Sequence, residues 1–334
     1  MLVSLTDPLP VKSFVLRNRV VMPPMASGLA SEDGGVTEAL IKHYSDRALC
    51  NSMVIVEHSY ISSDGRASSR QLGIWSDHLI FGLGILARTI RNGGAIAVIQ
   101  LNHAGGRADP KVCSCIPMAP SPILVPRGYI QAREMNMDDI ERILNNFIKA
   151  AERAVRAGFD GVEIHGAHGF LLNQFLSPIT NRRLDEFGGS LENRMRFPLM
   201  VVEGVRRVTK NKLLLYRLGA DDLIEGGFTI EEAIKVATKL VDYGIDIIDV
   251  SGGLCGSSPQ HLQGTQGYFI PLAEKIRRHV DVPVIGVGGI NNPCIANRFI
   301  SDGRVDLVAV GRAQLADHLW TCKAVREINR CYER

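Results

Sequence analysis

Residues 159–197 read FDGVEIHGAHGFLLNQFLSPITNRRLDEFGGSLENRMRF. The segment opens on a short apolar run, Gly161-Val162-Glu163-Ile164, of buried-strand length. Two histidines follow, His165 and His168, with Gly166 and Gly169 beside them. Where a strand gives way to a glycine-rich turn, side chains project into a pocket. Two imidazoles there supply converging donors for one oxygen atom, as a carbonyl that gains negative charge requires. The same pair also reads as two satisfied, partly buried histidines. No third ligand stands at a familiar spacing, so no metal site is expected.

The order of that stretch, strand then helix, recurs along the whole chain. β-rich runs are expected at Val20–Met22, Met53–Val56, Ile96–Leu101, Gly161–Ile164, Leu213–Tyr216, Asp246–Val250, Pro283–Val287 and Asp306–Val310. Each is followed by a longer amphipathic run, such as Thr37–Cys50, Asp77–Asn92 and Thr229–Tyr243. Eight strand–helix units in strict alternation predict a parallel sheet closed into a (β/α)8 TIM barrel of the α/β class. An open doubly wound sheet favours G-x-G-x-x-G after the first strand, and Pro23-Pro24-Met25-Ala26-Ser27 stands there instead. A long insertion, Ala104–Met137, follows the third strand and carries five prolines; segments of this kind usually serve as lids or binding loops. Asp138 is expected to cap the helix after it.

No composition break or low-complexity linker interrupts the 334 residues, so a single domain over 1–334 is expected. Lys+Arg is 38 against Asp+Glu 35, a net charge of +3 with basic residues scattered, which excludes a nucleic-acid footprint. No apolar run is long enough to span a bilayer, and the N-terminus lacks the pattern of a signal peptide. The seven cysteines match no disulfide framework and no zinc or cluster spacing; they read as reduced thiols in a cytoplasmic protein. Self-association into a homo-oligomer is left open.

A barrel carries its function at the C-terminal strand ends. Those positions hold Pro24, Met25 and Ala26 after strand one and Glu57 and His58 after strand two. Strand three offers Gln100, strand four His165 and His168, and strand five Arg217. Gly288-Gly289 and Gly311-Arg312 end strands seven and eight, where glycines let backbone N–H groups approach a phosphate; they also read as tight turns. Arg217 with Gln100 suits the edge of a planar polar ring, and equally an ion pair with Asp221 or Asp222.

These residues also carry a family likeness. The chain resembles the old yellow enzyme family of FMN-dependent NAD(P)H oxidoreductases over nearly its whole length. The likeness rests on Arg17-Asn18-Arg19-Val20-Val21-Met22-Pro23-Pro24-Met25, on Gln100-Leu101-Asn102-His103-Ala104-Gly105-Gly106-Arg107, on residues 165–197, and on Gly288-Gly289 and Val310-Gly311-Arg312. The resemblance implies a bound FMN touching Pro24, Met25, Ala26 and Glu57, with Gln100 and Arg217 on its ring edge. Gly288, Gly289, Gly311 and Arg312 would hold the phosphate. His165 and His168 would be catalytic, gripping a small-molecule substrate with an activated alkene or carbonyl; Phe170 and Tyr268 would line the substrate side. NADH or NADPH would be the transient donor, and no iron–sulfur cluster or second flavin domain is expected. Two positions depart from the family pattern. The tyrosine that commonly donates a proton is Phe170, and the Thr or Cys after Pro-Met is Ala26. Tyr129, Tyr268 and His261 are the loop residues considered as replacement donors, and a dehydrogenase or isomerase fits the altered site as well as an alkene reductase. A flavin-free barrel enzyme with a phosphorylated substrate is the remaining alternative.

Overall fold

The computed structural model describes residues 3–332. Eight parallel strands close into a barrel: β1 (Val20–Met22), β2 (Met53–Tyr60), β3 (Ile96–Asn102), β4 (Gly161–Gly166), β5 (Leu213–Gly219), β6 (Ile247–Ser251), β7 (Val284–Val287) and β8 (Leu307–Ala309). Each pairs with its neighbours in chain order, and β8 pairs with β1. The fold is the (β/α)8 TIM barrel that the alternation predicts. Its outer helices are α1 (Glu38–Ala48), α2 (Ile80–Asn92), α3 (Met137–Ala157), α4 (Leu191–Thr209), α5 (Ile230–Asp242), α6 (Ile270–Arg277), α7 (Pro293–Ser301) and α8 (Trp320–Tyr332).

Strand alternation explains both the core and the site. Ile96 and Val98, Leu213 and Leu215, Ile247, Ile285 and Leu307 form one apolar cluster inside the barrel. Side chains two residues further on point the same way. That parity brings Gln100, Arg217 and Asp249 inward, so the interior turns from hydrocarbon to polar toward the C-terminal ends. An N-terminal hairpin, Leu9–Val11 with Phe14–Leu16, seals the opposite end; its Val11 and Leu16 join the inner cluster. No periodicity in so short a pair signals it in advance.

Two expectations are corrected here. Asn136, not Asp138, caps α3: its side chain accepts from Asp139 N at 2.9 Å, and the Asp139 carboxylate accepts from Asn136 N at 3.1 Å. This reciprocal box satisfies two donors at once, which Asp138 cannot do from inside the first turn. The cysteines are also not all thiols. Cys50 and Cys322 form a disulfide across 272 residues, their Cα atoms 5.2 Å apart. Closure of the barrel sets α8 beside the end of α1, so a pairing invisible in local spacing becomes geometrically available. Beside it, Asn51 and Gln314 exchange amide hydrogen bonds at 2.8 and 3.0 Å, and Thr321 Oγ1 donates to Asn51 at 3.0 Å. Cys113, Cys115 and Cys255 remain thiols, and the side chain of Cys331 lies outside the described residues. The cytoplasmic reading loses the support it drew from free cysteines. Among the described residues no helix is long and apolar enough to cross a membrane, and no metal-ligating cluster occurs.

The insertion between β3 and α3 is ordered. It holds a short helix, Pro110–Cys113, and a two-stranded ribbon, Met118–Ala119 with Arg133–Glu134. Gln174 ties its start to the histidine loop: the amide donates to Ala104 O at 3.1 Å and Gly169 O at 2.7 Å and accepts from Gly106 N at 3.0 Å.

Candidate active site

A cavity of about 1010 Å³ opens at the C-terminal ends of the strands. Pro24, Met25 and Ala26 line it from the end of β1, and Gln100 and Arg217 from β3 and β5. His165, His168 and Phe170 form the wall after β4, while Gly289, Gly311 and Arg312 stand at β7 and β8. By strand order β4 and β8 lie on opposite sides of the barrel.

The polar floor is a chain of four buried side chains. Gln100 Nε2 donates to Glu163 Oε1 at 2.7 Å, Glu163 lies within hydrogen-bond reach of Asp249, and Asp249 Oδ2 is 3.4 Å from Arg217 Nε. Glu163 and Asp249 are wholly buried. The ion pair lacks hydrogen-bond geometry: Arg217 Nε and both Asp249 oxygens have no such bond. Burial first, and the neighbouring Asp249 charge second, push the Glu163 carboxyl well above its usual range; burial raises Asp249 as well, but Arg217 and the bond from Glu163 oppose that rise and favour its charged form. The pair therefore carries one proton, held on Glu163, and one negative charge facing Arg217. Sequence reasoning assigned neither carboxyl a role. The inward parity that flags Gln100 and Arg217 flags them too. Arg217 takes Asp249 as its partner, not Asp221 or Asp222.

The wall after β4 is a set of rings. His165 packs edge-on against His168 at 5.1 Å and Phe170 at 5.0 Å between centroids. His168 sits at φ +59, a conformation that costs a non-glycine residue energy. Its Nε2 meets Ser251 Oγ at 2.8 Å, while Nδ1 of His165 is buried without a partner. Burial, before the neighbouring cations, holds both imidazoles well below their ordinary pKa, so both are neutral donors.

β2 contributes His58, not Glu57. A register shift between Val56 and Ser59 breaks the strand's alternation, the effect of a bulge. Glu57 is turned toward α1, accepting from Ser27 N at 3.1 Å and bonded through its N–H to Tyr44 Oη at 2.8 Å, outside the cavity lining. His58 lines the cavity beside Phe170, at 5.4 Å. Gln71 Oε1 accepts from Ala67 N, so its amide nitrogen donates to His58 Nδ1 at 2.8 Å and the ring proton lies on Nε2. Burial and then Arg107 and Arg217 lower His58 to about 4. Below pH 6.5 the unfolded chain binds a proton here that the folded one refuses, so His58 costs stability as pH falls toward 4. His58→Gln is expected to lose about 2 kcal/mol less than the parent between pH 7 and pH 5, read from urea unfolding.

Across the mouth, Gly289 adopts φ +64, a conformation that favours glycine, and a Cβ on Gly311 would press on the Met25 side chain, 2.9 Å from its Sδ. Among the described residues Arg312 has no carboxylate partner; its Nη atoms reach Ser258 Oγ at 3.4 Å and Tyr268 Oη at 3.1 Å. Tyr268 thus stands beside Arg312 in the cavity lining and donates to Ser257 O at 2.7 Å. Gly288 is outside the lining, its carbonyl accepting from Gly267 N and Tyr268 N. Tyr129 and His261 are exposed and also outside it.

The model of the NADH:flavin oxidoreductase / NADH oxidase family matches residues 4–330. The chain belongs to this family. It is 41% identical to an NADH oxidase of Thermoanaerobacter brockii over 96% of its own length and 51% of that protein's, so it spans about half of this relative. An NADPH dehydrogenase of Clostridium acetobutylicum is 39% identical, with 95% of this chain and 93% of the relative covered. Among solved structures, the old yellow enzyme homologue of Zymomonas mobilis superposes with a TM-score of 0.86 at 28% identity, covering 97% and 93% of the two chains. A 2-naphthoyl-CoA reductase reaches a TM-score of 0.92 at 27% identity, over 97% of this chain and 52% of that one.

FMN is the cofactor of the NADH:flavin oxidoreductase family, with NADH or NADPH as donor, and the cavity fits it. His165 Nδ1 is a buried polar atom without a partner, Arg217 Nε meets Asp249 without a hydrogen bond, and among the described residues Arg312 is a cation without a carboxylate beside two glycines. Unsatisfied groups of this kind are costly unless a ligand meets them.

Proposed function

We propose that this chain reduces activated carbon–carbon double bonds of α,β-unsaturated carbonyl compounds at the expense of NADH or NADPH. The observation that carries the reading is the neutral His165–His168 pair facing a cavity whose floor presents Gln100 and Arg217. FMN bound there supplies the two-electron chemistry that no side chain offers. Pro24, Met25 and Ala26 would back its ring, Gln100 and Arg217 would bond its polar edge, and Gly289, Gly311 and Arg312 would hold its phosphate. The two imidazoles donate to the substrate's carbonyl oxygen and stabilise the negative charge that grows on it. Ser251 keeps the His168 ring in place through its 2.8 Å contact. Phe170 has no proton to give, so the single proton that completes the reduction comes from water entering the open cavity.

The test is a sequence of three measurements on purified protein: the visible spectrum, anaerobic bleaching by NADH and by NADPH, and reaction with 2-cyclohexenone. Saturated ketone formed in equal amount to oxidised nicotinamide is expected. A colourless protein that takes up no FMN would sink the proposal. Bleaching that no enone reverses would point to the dehydrogenase or isomerase reading, which Phe170 also suits. Arg312→Ala is expected to weaken FMN binding about tenfold or more, measured by equilibrium dialysis, because it removes one charge-assisted contact.

A further inference from the structure

Four guanidinium groups line the cavity: Arg107, Arg127, Arg217 and Arg312. Arg217 has Asp249, and Arg312 stands at the glycines assigned above to a phosphate. The other two come from the long insertion and are not used by the mechanism. Their polar partners are backbone carbonyls alone: Arg107 Nη1 donates to His168 O, and Arg127 Nη2 donates to Leu254 O at 3.0 Å. Neither forms an ion pair among the described residues, and Nε of Arg107 is buried with no partner. The one carboxylate in the lining, Asp317, is taken by Lys323 at 2.6 Å.

Both arginines are held in place. The Arg107 guanidinium lies over the Phe170 ring, 4.7 Å from its centroid, and that ring is packed against Ala104 and Ala108 at the root of the insertion. Arg127 adopts φ +63, and its guanidinium lies on Gly256, where a Cβ would sit 2.0 Å from Nη1. Burial first and the Arg127 charge second lower Arg107 to about 10. Arg107 is half-buried and Arg127 exposed; two cations lining one cavity without a counter-charge among the described residues attract an arriving anion.

We infer that Arg107 and Arg127 form an anion clamp, and that the substrate carries an anionic oxygen group in addition to the oxygen held by the histidines. That group is a carboxylate of the substrate itself or a phosphate of a carrier thioester. The inference rests on the reading that His165 and His168 hold the reacting carbonyl. Phe170 then has a use of its own, as the platform that aims Arg107.

Titration calorimetry on the purified holoprotein tests this without needing turnover. One pair of probes is 4-oxopent-2-enoate and its methyl ester; the other is crotonyl-CoA and the crotonyl thioester of N-acetylcysteamine. The anionic member of at least one pair is expected to bind about tenfold or more tightly, and which pair does so identifies the source of the charge. The preference should shrink at raised ionic strength and in Arg127→Met, and return in part in Arg127→Lys. Equal affinity within both pairs overturns the inference, as does a preference that survives in both Arg127→Met and Arg107→Met. Failure of alkene reduction would instead show as an absence of saturated product from the neutral probes, a separate readout.

Discussion

The double substitution Glu163→Gln/Asp249→Asn is expected to cost about 3–5 kcal/mol of folding stability, the scale of a buried cation stripped of its counter-ion. Arg217 is buried, and Asp249 is its acidic partner at 3.4 Å. The singles should not add up to the double. Glu163 carries the shared proton, so Glu163→Gln keeps the shape, the acceptor for Gln100 and a donor toward Asp249; its expected cost is about 1 kcal/mol or less. Asp249→Asn removes the charge, but it also removes the second largest cause of the raised Glu163 pKa. Glu163 can then ionise and take over as counter-charge, which limits the loss to an intermediate value. Urea unfolding of the four proteins checks this order. A double variant no worse than the sum of two mild singles would mean that the carboxyls do not share one charge.

Phe170→Tyr is expected to raise kcat for enone reduction about 100-fold, the scale of a well-placed general acid. The ring is 8% exposed and lies 5.0 Å from His165 and 5.4 Å from His58, so a para hydroxyl would enter a group of rings already facing the cavity. Tyrosine also keeps the face that Arg107 stacks on, so the clamp is retained. The gain should fall on kcat with little change in KM, because the hydroxyl serves proton delivery and not ground-state binding. Steady-state kinetics with 2-cyclohexenone, at saturating NADH or NADPH, reads it. An unchanged kcat would show that water already delivers the proton faster than another step proceeds.

Most of the architecture was legible because it is local. Strand–helix alternation and the polar residues at strand ends lie within a few positions of one another, and the fold class then says which end of the barrel carries chemistry. The same local rule does not separate Glu57 from His58, which both stand at the end of β2. Alternation from Met53 and Ile55 selects Glu57, but the bulge between Val56 and Ser59 brings in His58. Tyr268 was placed with the substrate because a loop tyrosine carries no record of which strand end it will meet; the fold sets it against Arg312.

From its sequence alone this protein is a (β/α)8 barrel of the old yellow enzyme type, with His165, His168, Gln100 and Arg217 at its mouth. Periodicity and strand-end position are properties of neighbouring residues and survive without the fold. Only the tertiary structure decided the Gln100–Glu163–Asp249–Arg217 chain, the placing of Arg107 and Arg127 on one cavity, and the joining of Cys50 to Cys322. Each depends on lateral register between strands or on closure of the ring, which brings together side chains that no local pattern relates.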